Sequence, residues 1–296
     1  GLLLLRFADR VGKGLRTSPR DALLAASVGP DRRGLAFGLH RAMDNAGAVI
    51  GPLLAAALLG SGMALQDVFV WSVVPAALCL ALALCLREPA VRPAVTRPPF
   101  DWRMRDLPLA LRRYLVVVAL FTLGNSSNMF LLLRARELGL PQAQVPLLWA
   151  GLSAVAMVLA TPLSALSDRF GRIRLLVGGY LAYAAVYAVL GRLTHAGPAL
   201  YAAFAAYGVF LAATEGVEKA MVADLAPADR QGTAFGWFNL TAGLVLLPAS
   251  LVFGAVYASA GPGAAFGLSA ACALLAAGLL LWWVRPAVAS SRSERQ

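Results

Sequence analysis

Lysine is almost missing from this chain of 296 residues: Lys13 and Lys219 stand against 24 arginines. Histidine occurs twice, at His40 and His195, and cysteine three times, at Cys79, Cys85 and Cys272. The cysteines lie in apolar runs without ligand spacing, so neither a disulfide framework nor a metal site is expected. No nucleophile, general base and orienting acid fall together, which argues against an enzyme and leaves no cofactor to expect. Gly12-Lys13-Gly14 is not a phosphate loop, because the G-x-x-x-x-G-K-[ST] spacing fails at Phe7 and Gly14. Charged residues make up only 14% of the chain and hydrophobic ones 59%, with a mean hydropathy of +0.71. Apolar runs long enough to span a bilayer recur from end to end, which is the composition of a membrane protein. The net charge of +11 does not point to nucleic acid, because the basic residues are spread over short connectors between those runs.

The opening stretch, Gly1 to Val28, has the length of a membrane helix yet carries Arg6, Asp9, Arg10, Lys13, Arg16, Arg20 and Asp21. At 100° per residue these charges fall within an arc of roughly 140°, with Leu and Ala covering the rest. Each charge turned to lipid at the bilayer centre costs about 3 kcal/mol, roughly 20 for the set. A fold has about 5 to 15 kcal/mol in total, so the ionic stripe is expected to face a protein cavity. A structural ladder of ion pairs is the competing reading.

Further spans are expected from about Leu35 to Gly60 and from Val68 to Leu86, then near 114–133, 145–166, 175–193, 199–225, 232–258 and 264–284. That gives an all-α membrane protein of nine helices. Arg87 to Arg113, rich in Pro and Arg, reads as a linker between residues 1–86 and the six-helix unit 114–285, with 286–296 as a tail. Loops on the linker side hold sixteen arginines, Arg32, Arg33, Arg169, Arg172, Arg174 and Arg230 among them; the opposite loops hold Arg134, Arg136 and Arg192. The positive-inside rule places the linker and the C-terminus in the cytoplasm. At an offset of 198 residues, Asp31-Arg32-Arg33-Gly34-Leu35-Ala36-Phe37-Gly38 matches Asp229-Arg230-Gln231-Gly232-Thr233-Ala234-Phe235-Gly236, and Arg20-Asp21-Ala22 matches Glu218-Lys219-Ala220. Parallel repeats of this kind build two similar bundles with a site between them.

Four segments carry a resemblance to the major facilitator superfamily. Leu166 to Arg174, containing Asp168, Arg169, Gly171 and Arg172, resembles the family's G-x-x-x-D-R-x-G-R-[RK]-[RK] loop, with Ser164 in place of the first Gly and Ile173 in place of one basic residue. Gly47-Ala48-Val49-Ile50-Gly51-Pro52 resembles the G-x-x-x-G-P motif of antiporter-type members. Arg6 with Gly12 and Gly14 resembles a fourth-helix motif with a buried Arg. GKGLRTSPRDA and TEGVEKA resemble a bacterial permease subgroup of unknown substrate. The resemblance implies a two-bundle transporter whose nine helices are the fourth to twelfth of twelve; the chain opens without an initiator Met or a polar lead-in, and a fragment is expected. It also implies that Asp168 to Arg172 form a charge relay closing the two bundles on the cytoplasmic face.

Several groups are candidates for a substrate and proton pathway. His40 and Asp44 share a helical face, with Arg41 beside them, and a histidine next to a carboxylate suits a proton relay as well as a structural role. Glu215, Glu218 and Lys219 share an arc of about 100°, and the i, i+4 spacing lets Glu215 pair with Lys219. Either a proton-carrying acid or a static ion pair fits that spacing. Asn125-Ser126-Ser127-Asn128 is either an unwound polar contact or a set of interhelical hydrogen bonds. Gly47 and Gly51 permit close helix approach, and Pro52 a kink. Arg6, Arg10, Lys13, Arg16, Arg20 and Arg41 outnumber Asp9, Asp21 and Asp44, which favours an anionic or zwitterionic small-molecule substrate. The expectation is a monomeric, proton-coupled exporter of the inner membrane, with an importer or a non-transporting scaffold or sensor as rivals.

Overall fold

Among the described residues seven helices are long and apolar enough to cross a membrane, and none of those residues lies in a strand. Lipid offers no hydrogen bonds to the backbone, so long apolar segments satisfy their own N–H and C=O groups by coiling into helices. The computed structural model describes residues 2–85 and 103–288, with backbone alone for 2–11, 13, 15 and 65. Most of the expected linker, 86–102, and the end of the tail, 289–296, lie outside the described residues.

The helices run α1 (Leu2–Ala26), α2 (Arg33–Gly60), α3 (Leu65–Trp71), α4 (Val73–Cys85), α5 (Leu109–Gly124), α6 (Met129–Glu137), α7 (Val145–Phe170), α8 (Arg172–Arg192), α9 (Pro198–Leu225) and α10 (Gln231–Leu279). The charged α1 is not among the seven apolar segments, and the last of those, Ala228–Val288, takes in two of the expected spans. It breaks at Gly261, where φ is 82° and ψ 174°, just before Pro262. Only glycine adopts that backbone cheaply, and proline cannot donate across the break. The expected third span is likewise two helices, α3 and α4, meeting at Ser72. Their apolar side chains, Leu78, Leu80, Leu82 and Leu84 included, are exposed around the whole circumference.

Helices α5 to α10 close around an aromatic core. Tyr183 stacks on Tyr187 with ring centroids 4.0 Å apart, and Tyr207, Phe210, Phe253 and Phe266 extend the cluster. Helix α2 lies along α7 and α9, and α1 packs chiefly on α10. A close three-helix junction forms at Gly38, Ser164 and Gly216. A methyl added to Gly38 would lie 2.5 Å from Ser164 Cβ and 2.7 Å from the Ala160 carbonyl oxygen; one added to Gly216 would lie 2.6 Å from Ser164 Oγ. The serine that replaces glycine in the loop signature is therefore the small residue against which two glycines of other helices close.

That finding corrects the expectation for Gly47 and Gly51. Both are exposed, with open space where a side chain would stand, and the close approach is made farther back along α2, at Gly34 and Gly38. Pro52 sits inside α2, which continues to Gly60.

Forcing bulk into a packed junction typically costs about 1 to 3 kcal/mol. Gly38→Leu should therefore lower the thermal unfolding midpoint in detergent by several degrees, whereas Gly51→Ala should leave it unchanged or raise it, since alanine is the better helix former.

Candidate functional site

Asp21 has no exposed surface although it belongs to the charged stripe of α1. Lys219 of α9, itself 4% exposed, brings its Nζ to 2.6 Å from Asp21 Oδ2. Arg20 donates to Asp21 Oδ1 from Nη2 at 3.2 Å. The partners Asp21 and Lys219 stand 198 residues apart, the offset of the internal repeat, so equivalent positions of the two repeats meet each other. Next to this pair Asn239 Nδ2 donates to Ser18 Oγ at 3.0 Å, tying α10 to α1.

A cavity of about 790 Å³ lies beside the pair. Its lining includes Arg16 and Arg20 of α1, Arg41 and Asp44 of α2, Phe121 and Asn125 of α5, and Phe238 and Asn239 of α10. From α9 come Phe210, Thr214, Glu215, Glu218 and Lys219. Eight of the residues singled out from sequence are thus brought to one wall-to-wall site: Arg16, Arg20, Arg41, Asp44, Asn125, Glu215, Glu218 and Lys219. His40 stands behind it, with Nδ1 3.6 Å from Asp44 Oδ2. The side chains of Arg6, Arg10 and Lys13 lie outside the described residues.

The pairing of these charges differs from the expected one. Lys219 turns to Asp21, and Glu215 is instead 3.6 Å from Arg41 Nε, while Arg41 Nη1 is 3.5 Å from Asp44. A buried carboxylate without a cation is so costly that Asp21 takes the ammonium, overriding the i, i+4 neighbour on the same helix. Glu218 has no cation within ion-pair distance among the described residues; Tyr180 donates its hydroxyl to Glu218 Oε1 at 3.0 Å. Arg16, exposed in the cavity, has no acidic partner among them either.

The Asn125–Asn128 segment is the break between α5 and α6. Tyr183 donates to the Gly124 carbonyl at 2.9 Å and Tyr207 to Asn128 Oδ1 at 2.8 Å, so the aromatic core holds both sides of the unwound stretch. Asn125 faces the cavity, and its Oδ1 is buried with no hydrogen-bond partner. Asn128 does not reach the cavity.

On the linker side, Asp168 accepts the backbone N–H groups of Gly34 and Leu35, each at 3.0 Å, and so caps the first turn of α2. Arg172 Nη1 pairs with Asp168 at 2.5 Å, and Arg172 Nε with Asp224 of α9 at 2.9 Å. Arg33 closes the ring onto Asp224 at 3.0 Å. Gly171, at φ 92° and ψ 141°, makes the turn from α7 to α8 that aims Asp168 and Arg172 at one another. Arg169 is exposed. Sequence reasoning missed Arg33 and Asp224 as members of this network, and Phe121, Phe210, Phe238 and Asn239 as cavity residues. Asn239 had a signal, since it stands 198 residues after Arg41; the phenylalanines read as ordinary core.

The described residues form an all-helical fold with seven helices long and apolar enough to cross a membrane. The chain belongs to the Major Facilitator Superfamily, whose sequence model matches residues 1–133 and 114–296. An uncharacterised MFS-type transporter of Methanocaldococcus jannaschii is 32% identical over 265 residues, covering 86% of this chain and 65% of that protein. An uncharacterised protein of Mycobacterium tuberculosis is 28% identical over 262 residues, covering 86% of this chain and 63% of its own length. The chain therefore spans a little under two thirds of these relatives. The crystal structure of a human organic anion transporter superposes with a TM-score of 0.69 at 19% identity, over 89% of this chain and 67% of the other. That likeness shows the fold.

Removing one partner of a buried ion pair costs about 3 to 5 kcal/mol. Asp21→Asn should sharply lower the thermal midpoint in detergent, and the exchange Asp21→Lys with Lys219→Asp should recover most of the loss. Failure of the exchange to recover any of it would show that the pair's orientation, and not its charge balance, matters.

Proposed function

We propose that the chain is part of a proton-coupled secondary transporter of the inner membrane that exports a small organic anion or zwitterion by alternating access. One observation carries the substrate reading. Arg20 and Lys219 are committed to Asp21, and Arg41 to Asp44 and Glu215, whereas Arg16 stands in the cavity with no acid paired to it among the described residues. That guanidinium is the group an incoming carboxylate meets. The organic anion carried by the human structural neighbour is of the same class.

Among the described residues, counting α1 and dividing the last segment at Gly261 gives nine spans, three before the linker and six after it. The Asp168–Arg172–Asp224–Arg33 network and the Asp21–Lys219 pair both lie toward the linker side, which supports a form closed on that side. Protonation of Glu218, which has Tyr180 and, among the described residues, no cation as its partner, biases the two states.

Uptake of the anion together with a proton is the second reading, and the cavity's charge balance favours it. Among the described residues Arg16, Arg20, Arg41 and Lys219 face Asp21, Asp44, Glu215 and Glu218, four against four. An anion is best accommodated there when one acid carries a proton.

Proteoliposomes with an imposed pH gradient separate the two. Export coupling drives an anionic probe against the proton flow, and uptake coupling drives it with the flow. Arg16→Gln should reduce anion flux at least tenfold without lowering the thermal midpoint, and Glu218→Gln should leave exchange intact while abolishing acceleration by the gradient. Equal flux of cationic and anionic probes would sink the anion reading.

A further inference from the structure

We propose that the ligand of this cavity is a zwitterion with its charges at opposite ends, a carboxylate at one and an ammonium at the other. The inference rests on the anion reading given above and adds the cationic end. Its ground is the way the site divides its charges. Around Asp21 one acid is shared by two cations, Lys219 at 2.6 Å and Arg20 at 3.2 Å. That trio is left with one positive charge, and Arg16, with no acid paired to it among the described residues, adds another. Around Arg41 the sharing is reversed. One cation lies between two acids, 3.5 Å from Asp44 and 3.6 Å from Glu215, and this trio is left with one negative charge. Glu218, bonded to Tyr180, adds a second. His40, 3.6 Å from Asp44, subtracts from that total only when protonated. Balanced as a whole among the described residues, the site has a positive wall and a negative one.

Both walls present surface to a ligand. Arg16 is exposed, Asp44 is 48% exposed and Glu215 32%, and all three line the cavity. The Asp21–Lys219 contact sets α1 and α9 in register. At a rise of about 1.5 Å per residue, Arg16 stands roughly 7 Å beyond Asp21 along α1, and Glu215 about 6 Å beyond Lys219 along α9. The Arg41–Glu215 contact holds α2 at the same depth, and Asp44 follows Arg41 by one turn toward the same end. The unpaired guanidinium and the two acids therefore meet a ligand at one level of the cavity. A plain anion satisfies Arg16 and brings its other end against uncompensated carboxylates; a plain cation has the converse difficulty. An ammonium and a carboxylate kept apart by one body meet opposite charge at both ends, and no existing ion pair has to part. A volume of about 790 Å³ is ample for a body of several carbons.

The test is calorimetric titration of the purified protein in lipid nanodiscs with three probes of one length: 6-aminohexanoate, 6-hydroxyhexanoate, which lacks the cation, and 6-aminohexanamide, which lacks the anion. The amino acid should bind about tenfold more tightly than either, as one hydrogen bond between charged groups supplies. Asp44→Asn should cut its advantage over the hydroxy acid to about threefold, and Asp44→Asn with Glu215→Gln should erase it. Arg16→Gln should weaken the amino acid and the hydroxy acid alike, about tenfold, and keep the step between them. Thermal midpoints of the single variants should stay near that of the parent. The hydroxy acid binding as tightly as the amino acid overturns the zwitterion inference while leaving the anion reading intact, and so does a step that survives the loss of both acids. The amide binding as tightly as the amino acid sinks the anion reading on which the inference stands, and so does the absence of binding by both carboxylates.

Discussion

A carboxylate withdrawn from water inside an apolar protein has to find a cation, and Asp21 finds Lys219. The effective cost of burying either ion alone is several kcal/mol, and their attraction in a low-dielectric surrounding offsets it only at contact distance. The pair therefore sets how closely α1 approaches α9. Once α1 is placed, Ser18 meets Asn239 on α10, and Arg16 and Arg20 are turned into the cavity. The two partners stand at equivalent positions of the sequence repeat, 198 residues apart.

The second constraint is steric. Gly38 and Gly216 close on Ser164, and Gly34 lets Arg172 pass over the start of α2 toward Asp168 and Asp224. Any side chain at Gly34 would meet Arg172 Nη1, at 2.5 Å for its first carbon. The ionic network on the linker side thus depends on the absence of a side chain at Gly34, and the glycine junction and the ion pairs are two layers of one contact.

Much of this was legible in the residues. The ionic stripe on α1 could be read because charges in an apolar helix have only one tolerable direction to face. The loop at Asp168 could be read because its acid and bases keep a fixed spacing around Gly171, whereas the polar run at Asn125 to Asn128 left open whether the span at 114–133 breaks, as it does between Gly124 and Met129. Partner choice could not be read. Spacing alone allows Glu215 to meet Lys219, yet helices distant in sequence supply better partners, Asp21 for Lys219 and Arg41 for Glu215. Gly47 and Gly51 repeat at the same interval as Gly34 and Gly38, and only the neighbouring helix distinguishes a packed glycine from an open one. The cavity phenylalanines were hidden for the same reason: an aromatic residue on an apolar helix has one sequence pattern, whether it meets core or ligand.

Ion pairs suit an interface that has to open. Apolar junctions gain in proportion to area and resist separation, whereas a buried ion pair is nearly balanced between its Coulomb gain and its desolvation cost. On the proposed rocking motion, water entering from the linker side rehydrates Asp21, Lys219, Asp168, Arg172, Asp224 and Arg33 as they part, which returns most of the attraction given up. The contacts are therefore exacting about geometry and shallow in free energy. An equilibrium between open and closed forms is useful only if a ligand or proton can tip it, and roughly 5.5 kcal/mol of differential binding already takes such an equilibrium from one side to the other. A closure built from Leu and Phe alone would lie deeper than that and hold the cavity in one state. The charges that make α1 improbable as a membrane helix are, on this argument, what allows the closed face to be left again.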